Sequence, residues 1–515
     1  MIKTVVRREL LDNILSFKFM ASVLVVIVLV VISTLYLADD YLDRLKDFDK
    51  GMANAREYLS KIPVYSYLEV GIYKSPSPLS VFVSGIERNT GNRVTLTHRE
   101  IPTELEGGLV KNEFSRIFSF FDLSSVIVVV FTILAILLSY DSVSGEKESG
   151  MLSLALSQAV PRHKFLLGKY LGGLFSLLVP LSFCFLLALF IVLFVKGVSP
   201  PRNFLGTVFL FFLLSVLYLS AVLLVGIFIS SRTKTSFHSL ILLLAFYLIT
   251  VFLVPLGLSS YARNVELRTA RNFEMNAAGL VRERTLKIAA ERAKLPTRRT
   301  WASMEARGEK FILKRMNPEV TIEYYKRYHE MRERIVVDFA QRIYELKRKD
   351  LQAAEKIQQT KAFALAFFPS ANFAHASELA AETGRENLTR FFEQISLYWH
   401  QLVRYLEGKD AFSLRYFYPY PEKFNPEENA FLAKFGSVMG GQKWAQYQDE
   451  LNKYNQKVFG FLDLGDLPVF EFHDSDLAAR AGRVLPNAFV LFFYNFLFFI
   501  LAYFSFRRYD PRALM

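Results

Sequence analysis

Cysteine is almost missing from this chain: among 515 residues, Cys184 alone carries a thiol. One thiol builds no disulfide framework, so no part of the fold is expected to be stapled by oxidation. Histidine is scarce as well. The seven imidazoles are scattered, and His329, His375 and His400 stand at no spacing that would hold a metal. Signatures of catalysis are equally thin. The Ser-Gly pairs at 84–85 and 144–145 lack the G-x-S-x-G frame of a nucleophile elbow. Gly436-Ser-Val-Met-Gly-Gly441-Gln-Lys443 approaches a phosphate loop, but Gln442 holds the lysine position and no strand-to-helix setting surrounds it. Gly168-Lys169 has no upstream glycine at the required distance. The chain is therefore expected to be no enzyme, to hold no metal or cofactor, and to take any energy for work from another subunit.

What the chain has in quantity is apolar surface: 52% of residues are hydrophobic and 49 are phenylalanine. These residues fall in runs. A helix needs about twenty apolar residues to cross the hydrocarbon. Suitable runs lie at 19–38, 122–140, 167–195, 204–230, 239–258 and 485–506. A cleaved signal peptide is the other reading of the first, but the run is long for one, and Leu35-Tyr-Leu-Ala38 is a poor cleavage site, so an uncleaved span is expected. Six spans put both termini on one side. Lys3, Arg7, Arg8 and Lys18 precede the first span. Lys147, Arg162, Lys164 and Lys169 follow the second, Arg232 and Lys234 the fourth, and Arg507, Arg508 and Arg512 the last. That side is expected to be cytoplasmic by the positive-inside bias, in an inner membrane. Lys196 and Arg202 are a mild exception. The formal charge of +13 needs no nucleic acid to explain it.

The fold class expected is mainly α: a polytopic membrane protein with six transmembrane helices. A small α/β outer domain at 39–121 follows helix 1, and a large helical outer domain at 259–484 lies between helices 5 and 6. In the first, charged helical sequence at 41–61 gives way to Ser75-Pro-Ser-Pro78, then to strand-like alternation around Val81-Phe-Val83 and Arg93-Val-Thr-Leu-Thr97. In the second, 263–295 and 321–363 are charged and amphipathic, with a stripe at Ile335, Phe339, Ile343 and Leu346. They read as a long hairpin projecting from the membrane. From Phe367 the composition turns aromatic and proline-bearing, which predicts shorter helices packing back on the pair.

The segment at 141–166 is unlike a plain connection. Gly145 and Gly150 permit turns that side chains hinder. Glu146, Lys147 and Glu148 bring both signs of charge to the membrane surface. Met151, Leu152, Leu154, Ala155 and Leu156 then offer an apolar face, which Pro161 ends. Two readings fit equally: a helix that docks in a groove of a cytoplasmic partner, or an ordinary interfacial helix with snorkelling charges.

Ser144-Gly-Glu-Lys-Glu-Ser-Gly150, Leu152, Leu156-Ser-Gln158, Pro161-Arg162, Lys164 and Leu167-Gly-Lys169 together resemble the signature of ABC type-2 (ABC-2) transporter permeases. Ala159-Val160-Pro161 departs slightly, the family's proline usually lying nearer the Ser-Gln. The resemblance covers roughly 1–258 and 485–515. A looser one joins Ser75–Ser80, Ser84-Gly85, Phe368-Pro-Ser370, Glu382-Thr-Gly384, Phe391-Phe392 and Tyr398 to a branch of these permeases with a large extracytoplasmic domain of unknown function. The resemblance implies a permease subunit, working as a homodimer or as a heterodimer with a related permease. Cytoplasmic ABC ATPase subunits, which hold the ATP and magnesium, would dock on the coupling helix at 141–166. It assigns docking to Gly145, Glu146, Lys147, Glu148, Gly150, Met151, Leu152 and Leu156, with Glu146 and Lys147 as polar contacts and the apolar residues as anchors. An amphipathic N-terminal helix, 1–18, with Arg7, Arg8 and Glu9, would brace that interface; the arginines could equally contact lipid headgroups.

No ionisable residue sits within spans two, four or five, which disfavours a proton or ion path. That leaves a lipidic or amphipathic substrate, or mechanical work on an extracytoplasmic protein. A membrane-anchored sensor or scaffold with no ATPase partner is the alternative.

Overall fold

The computed structural model describes residues 2–107, 122–152, 161–194, 203–295, 303–307, 310–314, 318–412, 453 and 460–507. Among them, six helices are long and apolar enough to cross a membrane. The protein is thus a mainly helical, multi-pass membrane protein. Gly436–Lys443, Leu154, Ala155 and Leu156 lie outside the described residues.

A short helix α1 (Ile2–Ile14) precedes the first span, α2 (Phe17–Leu59). The break at Leu15-Ser16 is set by the Ser16 hydroxyl, which accepts a hydrogen bond from Phe19 N and caps α2. The second span is α3 (123–139), capped by Asp122, whose Oδ1 accepts from Ser125 N at 2.7 Å. A five-residue helix, α4 (Ser144–Glu148), follows it. Spans three and four are α5 (Arg162–Phe194) and α6 (Phe204–Arg232). The fifth, α7 (236–293), leaves the bundle without a break and stays helical to Ala293. At 1.5 Å per residue it is about 85 Å long. Helix α8 (Pro318–Ala366) returns beside it. Of the stripe foreseen there, Ile335 and Phe339 are buried and Ile343 and Leu346 half-buried; Lys287 of α7 lies 5.6 Å over the Phe339 ring, and Arg342 makes two hydrogen bonds to Glu283 of α7.

Segment 369–381, expected outside the membrane with the rest of 259–484, packs instead among the spans. After α8, the chain turns at Phe367-Phe368-Pro369, and α9 (Pro369–Ala381) inserts between α6 and the last span, α11 (Leu477–Arg507). Phe373 stacks on Tyr218 at 4.8 Å and on Phe211 at 6.0 Å, both within α6. Ser370 donates to Thr250 O at 2.9 Å, and Asn372 to Asn487 O at 3.0 Å. Small residues Ala376, Ser377, Ala380 and Ala381 are buried and let the helix approach closely. Both α3 and α7 carry a π-helical stretch, at Ile127–Phe131 and Leu248–Leu253. Such turns free backbone carbonyls, and side chains supply donors: Tyr247 to Val129 O, Thr132 to Ile127 O and Ser370 to Thr250 O.

The two outer segments share one core. Antiparallel β1 (Val70–Tyr73) and β2 (Arg93–Leu96) pair Val70 with Leu96. Their buried Val70, Ile72, Val94 and Leu96 meet Phe391, Ile395, Trp399 and Leu402 of α10 (Arg385–Gly408). Trp399 Nε1 donates to Thr97 O at 3.0 Å. The strand expected at Val81-Phe-Val83 does not form. Pro78 opens a 3-10 turn over Pro78–Val81, and Leu79, Val81, Phe82 and Val83 are all buried in the membrane bundle rather than alternating. A second hairpin, β3 (Ser303–Arg307) with β4 (Lys310–Lys314), completes the described elements.

Candidate functional site

The 143–152 segment lies where the ends of four helices meet. Helix α4 begins because Ser144 and Val143 each donate a backbone N–H to Ser230 Oγ, at 2.9 and 3.1 Å, near the end of α6. It stops at Gly150, whose φ of 74° is a left-handed value that a side chain would strain. Within this one turn, each charge of Glu146-Lys147-Glu148 reaches a different span. Glu146 Oε1 lies 2.6 Å from Lys169 Nζ at the base of α5. Lys147 Nζ donates to Thr233 O at 3.0 Å and to Ser231 O, meeting the carbonyls that end α6. A cation is favoured there, where the helix leaves unpaired carbonyls and partial negative charge. Glu148 Oε2 accepts from Ser236 N at 3.1 Å, where α7 begins and free N–H groups favour an anion.

Lys169 also binds Glu9 of α1, its Nζ 2.8 Å from Glu9 Oε2. Its side chain is 8% exposed and Glu9's 14%, so the attraction is weakly screened. Burial raises the Glu9 pKa above the ordinary carboxylate value, and the Lys169 charge opposes that shift. Two glycines of α5 make room for α1. A Cβ on Gly168 would stand 2.7 Å from Val5 Cγ1, and one on Gly172 would stand 2.6 Å from Glu9 Cβ. One turn on, Asn13 Nδ2 donates to Ser176 Oγ at 3.3 Å. Val5, Glu9 and Asn13 therefore climb α5 in step with Gly168, Gly172 and Ser176. Arg162 Nη1 donates to Phe506 O at 3.3 Å and to Arg507 O, ending α11 as Lys147 ends α6.

The residues singled out from sequence thus divide. Glu9, Gly145, Glu146, Lys147, Glu148 and Gly150 come together in one junction. Glu146 and Lys147, expected as polar contacts to a partner, are engaged within the chain. Leu152, expected as an apolar anchor for a partner, is fully buried, because the turn at Gly150 directs it into the bundle core. Met151 is 44% exposed and keeps an outward surface. Arg7 and Arg8 are exposed, and Arg8 pairs with Asp12 at 3.6 Å. Leu156 lies outside the described residues. Lys169, Ser230 and Ser236 were not among the expected site residues. Gly168-x-x-x-Gly172 was the available signal, since small residues four apart on a span mark a close helix contact.

Among the described residues, the junction holds no nucleophile paired with a base. Its chemistry is that of a joint: one short turn, fixed by ionic and hydrogen bonds to α5, α6 and α7, with Lys169 of α5 holding α1 beside it. No curated protein matches the chain. A family model for ABC-2 family transporter proteins matches residues 3–288, from α1 through spans one to five into the outer part of α7. The chain belongs to the ABC-2 transporter family and is the membrane-spanning permease component of an ABC transporter.

Proposed function

We propose that the 143–152 turn is the coupling element on which separate cytoplasmic ATPase subunits act. The termini and this turn then face the cytoplasm of an inner membrane, and ATP and magnesium reside in the partner. One observation carries the reading: three consecutive charged residues are tied to three different spans, and Lys169 adds α1. A push on this turn reaches α1, α5, α6 and α7 together. Exposed Met151, Arg7 and Arg8 form the surface offered to the ATPase, while Glu146, Lys147 and Glu148 hold its shape. The permease acts as a pair, with itself or with a relative.

The continuity of α7 favours mechanical output over a simple channel. The helix touched by Glu148 at Ser236 is the same helix that forms the outer hairpin. Tilting its base moves its tip, where an extracytoplasmic protein or lipidic substrate would be engaged. Co-purification with the candidate ATPase tests the coupling assignment. Met151→Glu, on the exposed edge, is expected to abolish complex formation and stimulated ATP hydrolysis while leaving the chain folded. Unchanged binding and turnover would remove 143–152 from the interface.

A further inference from the structure

Helix α7 carries a weak point inside span five. Over Leu248–Leu253 its ladder is π-helical, and Val254 N–H donates to Ile249 O, five residues back. The next carbonyl in that register is Thr250 O, and its donor would be the N–H of residue 255. That residue is Pro255, which has none. Thr250 is buried, and its own hydroxyl is engaged with Phe246 O at 2.8 Å. A proline beside a π turn is where a long helix bends, and within the bilayer a carbonyl without a donor is costly.

The missing donor comes from the far end of the hairpin. Helix α7 leads out of the membrane, α8 returns, and the second residue of α9, Ser370, donates its hydroxyl to Thr250 O at 2.9 Å. Ser370 is buried, and its neighbours are pinned to two spans. Tyr494 of α11 donates to Phe367 O, just before α9. Asn372 Nδ2 donates to Asn487 O of α11 at 3.0 Å, and Phe373 stacks on Tyr218 of α6 at 4.8 Å. At the inner end of the π stretch, the Tyr247 hydroxyl donates to Val129 O of α3 at 3.2 Å. One hydroxyl of the returning limb thus splints the outgoing limb where the outgoing limb's own ladder lacks a donor.

We propose that Ser370 is a positioning residue for the stroke. It stands in for the backbone donor that Pro255 lacks and keeps α7 one rod, so that movement at Ser236 arrives at the outer hairpin instead of being lost as a bend at 250–255. The role in transmission rests on the coupling proposed above; the splint itself is a property of the permease alone. Two measurements separate them. In the full-length permease in lipid discs, backbone amide hydrogen exchange is read by mass spectrometry over 246–260. Ser370→Ala is expected to speed exchange there several-fold, and Ser370→Thr, which keeps the hydroxyl, to stay near wild type. Adding Pro255→Ala to Ser370→Ala is expected to slow exchange again, because an alanine at that position supplies the backbone N–H. Unchanged exchange in Ser370→Ala, or exchange still raised in the double variant, overturns the proposal whatever the ATPase does. In the permease–ATPase complex, spin labels at Leu205→Cys on α6 and Met275→Cys on α7, both exposed, read the hairpin against the spans in a Cys184→Ser background. Trapping the ATPase with nucleotide is expected to shift the wild-type distance by a few ångströms. Ser370→Ala is expected to lose most of that shift with ATP turnover retained, and the double variant to regain it. A shift that Ser370→Ala keeps in full, or that the double variant does not regain, overturns the proposal. A wild type with no shift contradicts the coupling reading and with it the role in transmission, and the exchange result then decides the splint by itself.

Discussion

Glu148 Oε2 accepts a hydrogen bond at 3.1 Å from the backbone N–H of Ser236. That contact joins the 143–152 turn to the first residue of a helix that runs unbroken to Ala293. The motif residue and the outer hairpin are therefore separated by one hydrogen bond and one continuous rod. Lys169 closes the other side of the joint by holding Glu146 and Glu9 at 2.6 and 2.8 Å.

Replacing Lys169 by Met leaves two largely buried carboxylates facing each other without their cation. Breaking a buried ion pair from one side costs about 3 kcal/mol. Adding Glu9→Gln to Lys169→Met is expected to recover part of that loss, since one uncompensated charge is removed. Thermal melts of the single and double variants in lipid discs check this. A double variant less stable than the single would mean that Glu9 and Lys169 are not coupled.

Gly172→Leu is expected to lift α1 from the base of span three, because its first side-chain carbon would already stand 2.6 Å from Glu9 Cβ. Cleavage within 1–16 by a protease should accelerate several-fold, with the spans intact. Gly279→Leu is the control: it lies on α7 with nothing within 4 Å of a Cβ, and its cleavage pattern should match wild type.

Trp399 ties the small strand pair to α10 through its buried ring and its bond to Thr97 O. Trp399→Ala is expected to cost about 3–5 kcal/mol by leaving a cavity. Trp399→Phe should cost less, with roughly 1 kcal/mol of it from the lost hydrogen bond. Urea unfolding followed at the outer domain distinguishes the two. Equal losses would place the whole effect in the hydrogen bond.

The six spans could be read from apolar runs alone, because crossing a bilayer requires a length of apolar sequence that little else produces. The α7–α8 hairpin was legible for a similar reason, through the period of Ile335 and Phe339. Helix α9 was not. Its thirteen residues are too short to span, and Ser370, Asn372, His375 and Glu378 make it read as polar; only its packing on Tyr218 and Thr250 places it among the spans. The roles of Glu146, Lys147 and Glu148 were hidden for another reason. A charge cluster has the same sequence whether it faces a partner or folds back; Ser231, Thr233 and Ser236, which receive Lys147 and Glu148, lie more than eighty residues away, and Lys169, which receives Glu146, stands at the base of another span.

In the outer domain, His98 Nε2 lies 2.7 Å from Glu333 Oε2, and Arg332 and Arg99 also approach that carboxylate. Burial, chiefly, lowers the His98 pKa below its ordinary 6.5; Glu333 pulls it upward, and Arg99 and Arg332 add to the lowering. A histidine whose folded value is depressed contributes stability above its unfolded pKa and loses it as pH falls below. The domain is therefore expected to melt progressively earlier as pH drops from about 6.5. His98→Gln keeps a donor for Glu333 without titrating, and should lessen the slope between about pH 7 and 5, the remainder coming from His329, which burial lowers to about 4. An unchanged slope would assign the titration to another group.

In the proposed coupling, a stroke at the 143–152 turn reaches the outer hairpin through α7. Spin labels at Met275→Cys on α7 and Leu397→Cys on α10, both on exposed faces, report the hairpin against the domain core in a Cys184→Ser background. Distances are read by pulsed electron resonance on the permease–ATPase complex in lipid discs. Trapping the ATPase with nucleotide is expected to shift the distribution by a few ångströms, and Lys169→Met to abolish the shift. An identical distribution in the two nucleotide states, with ATP turnover intact, would contradict it.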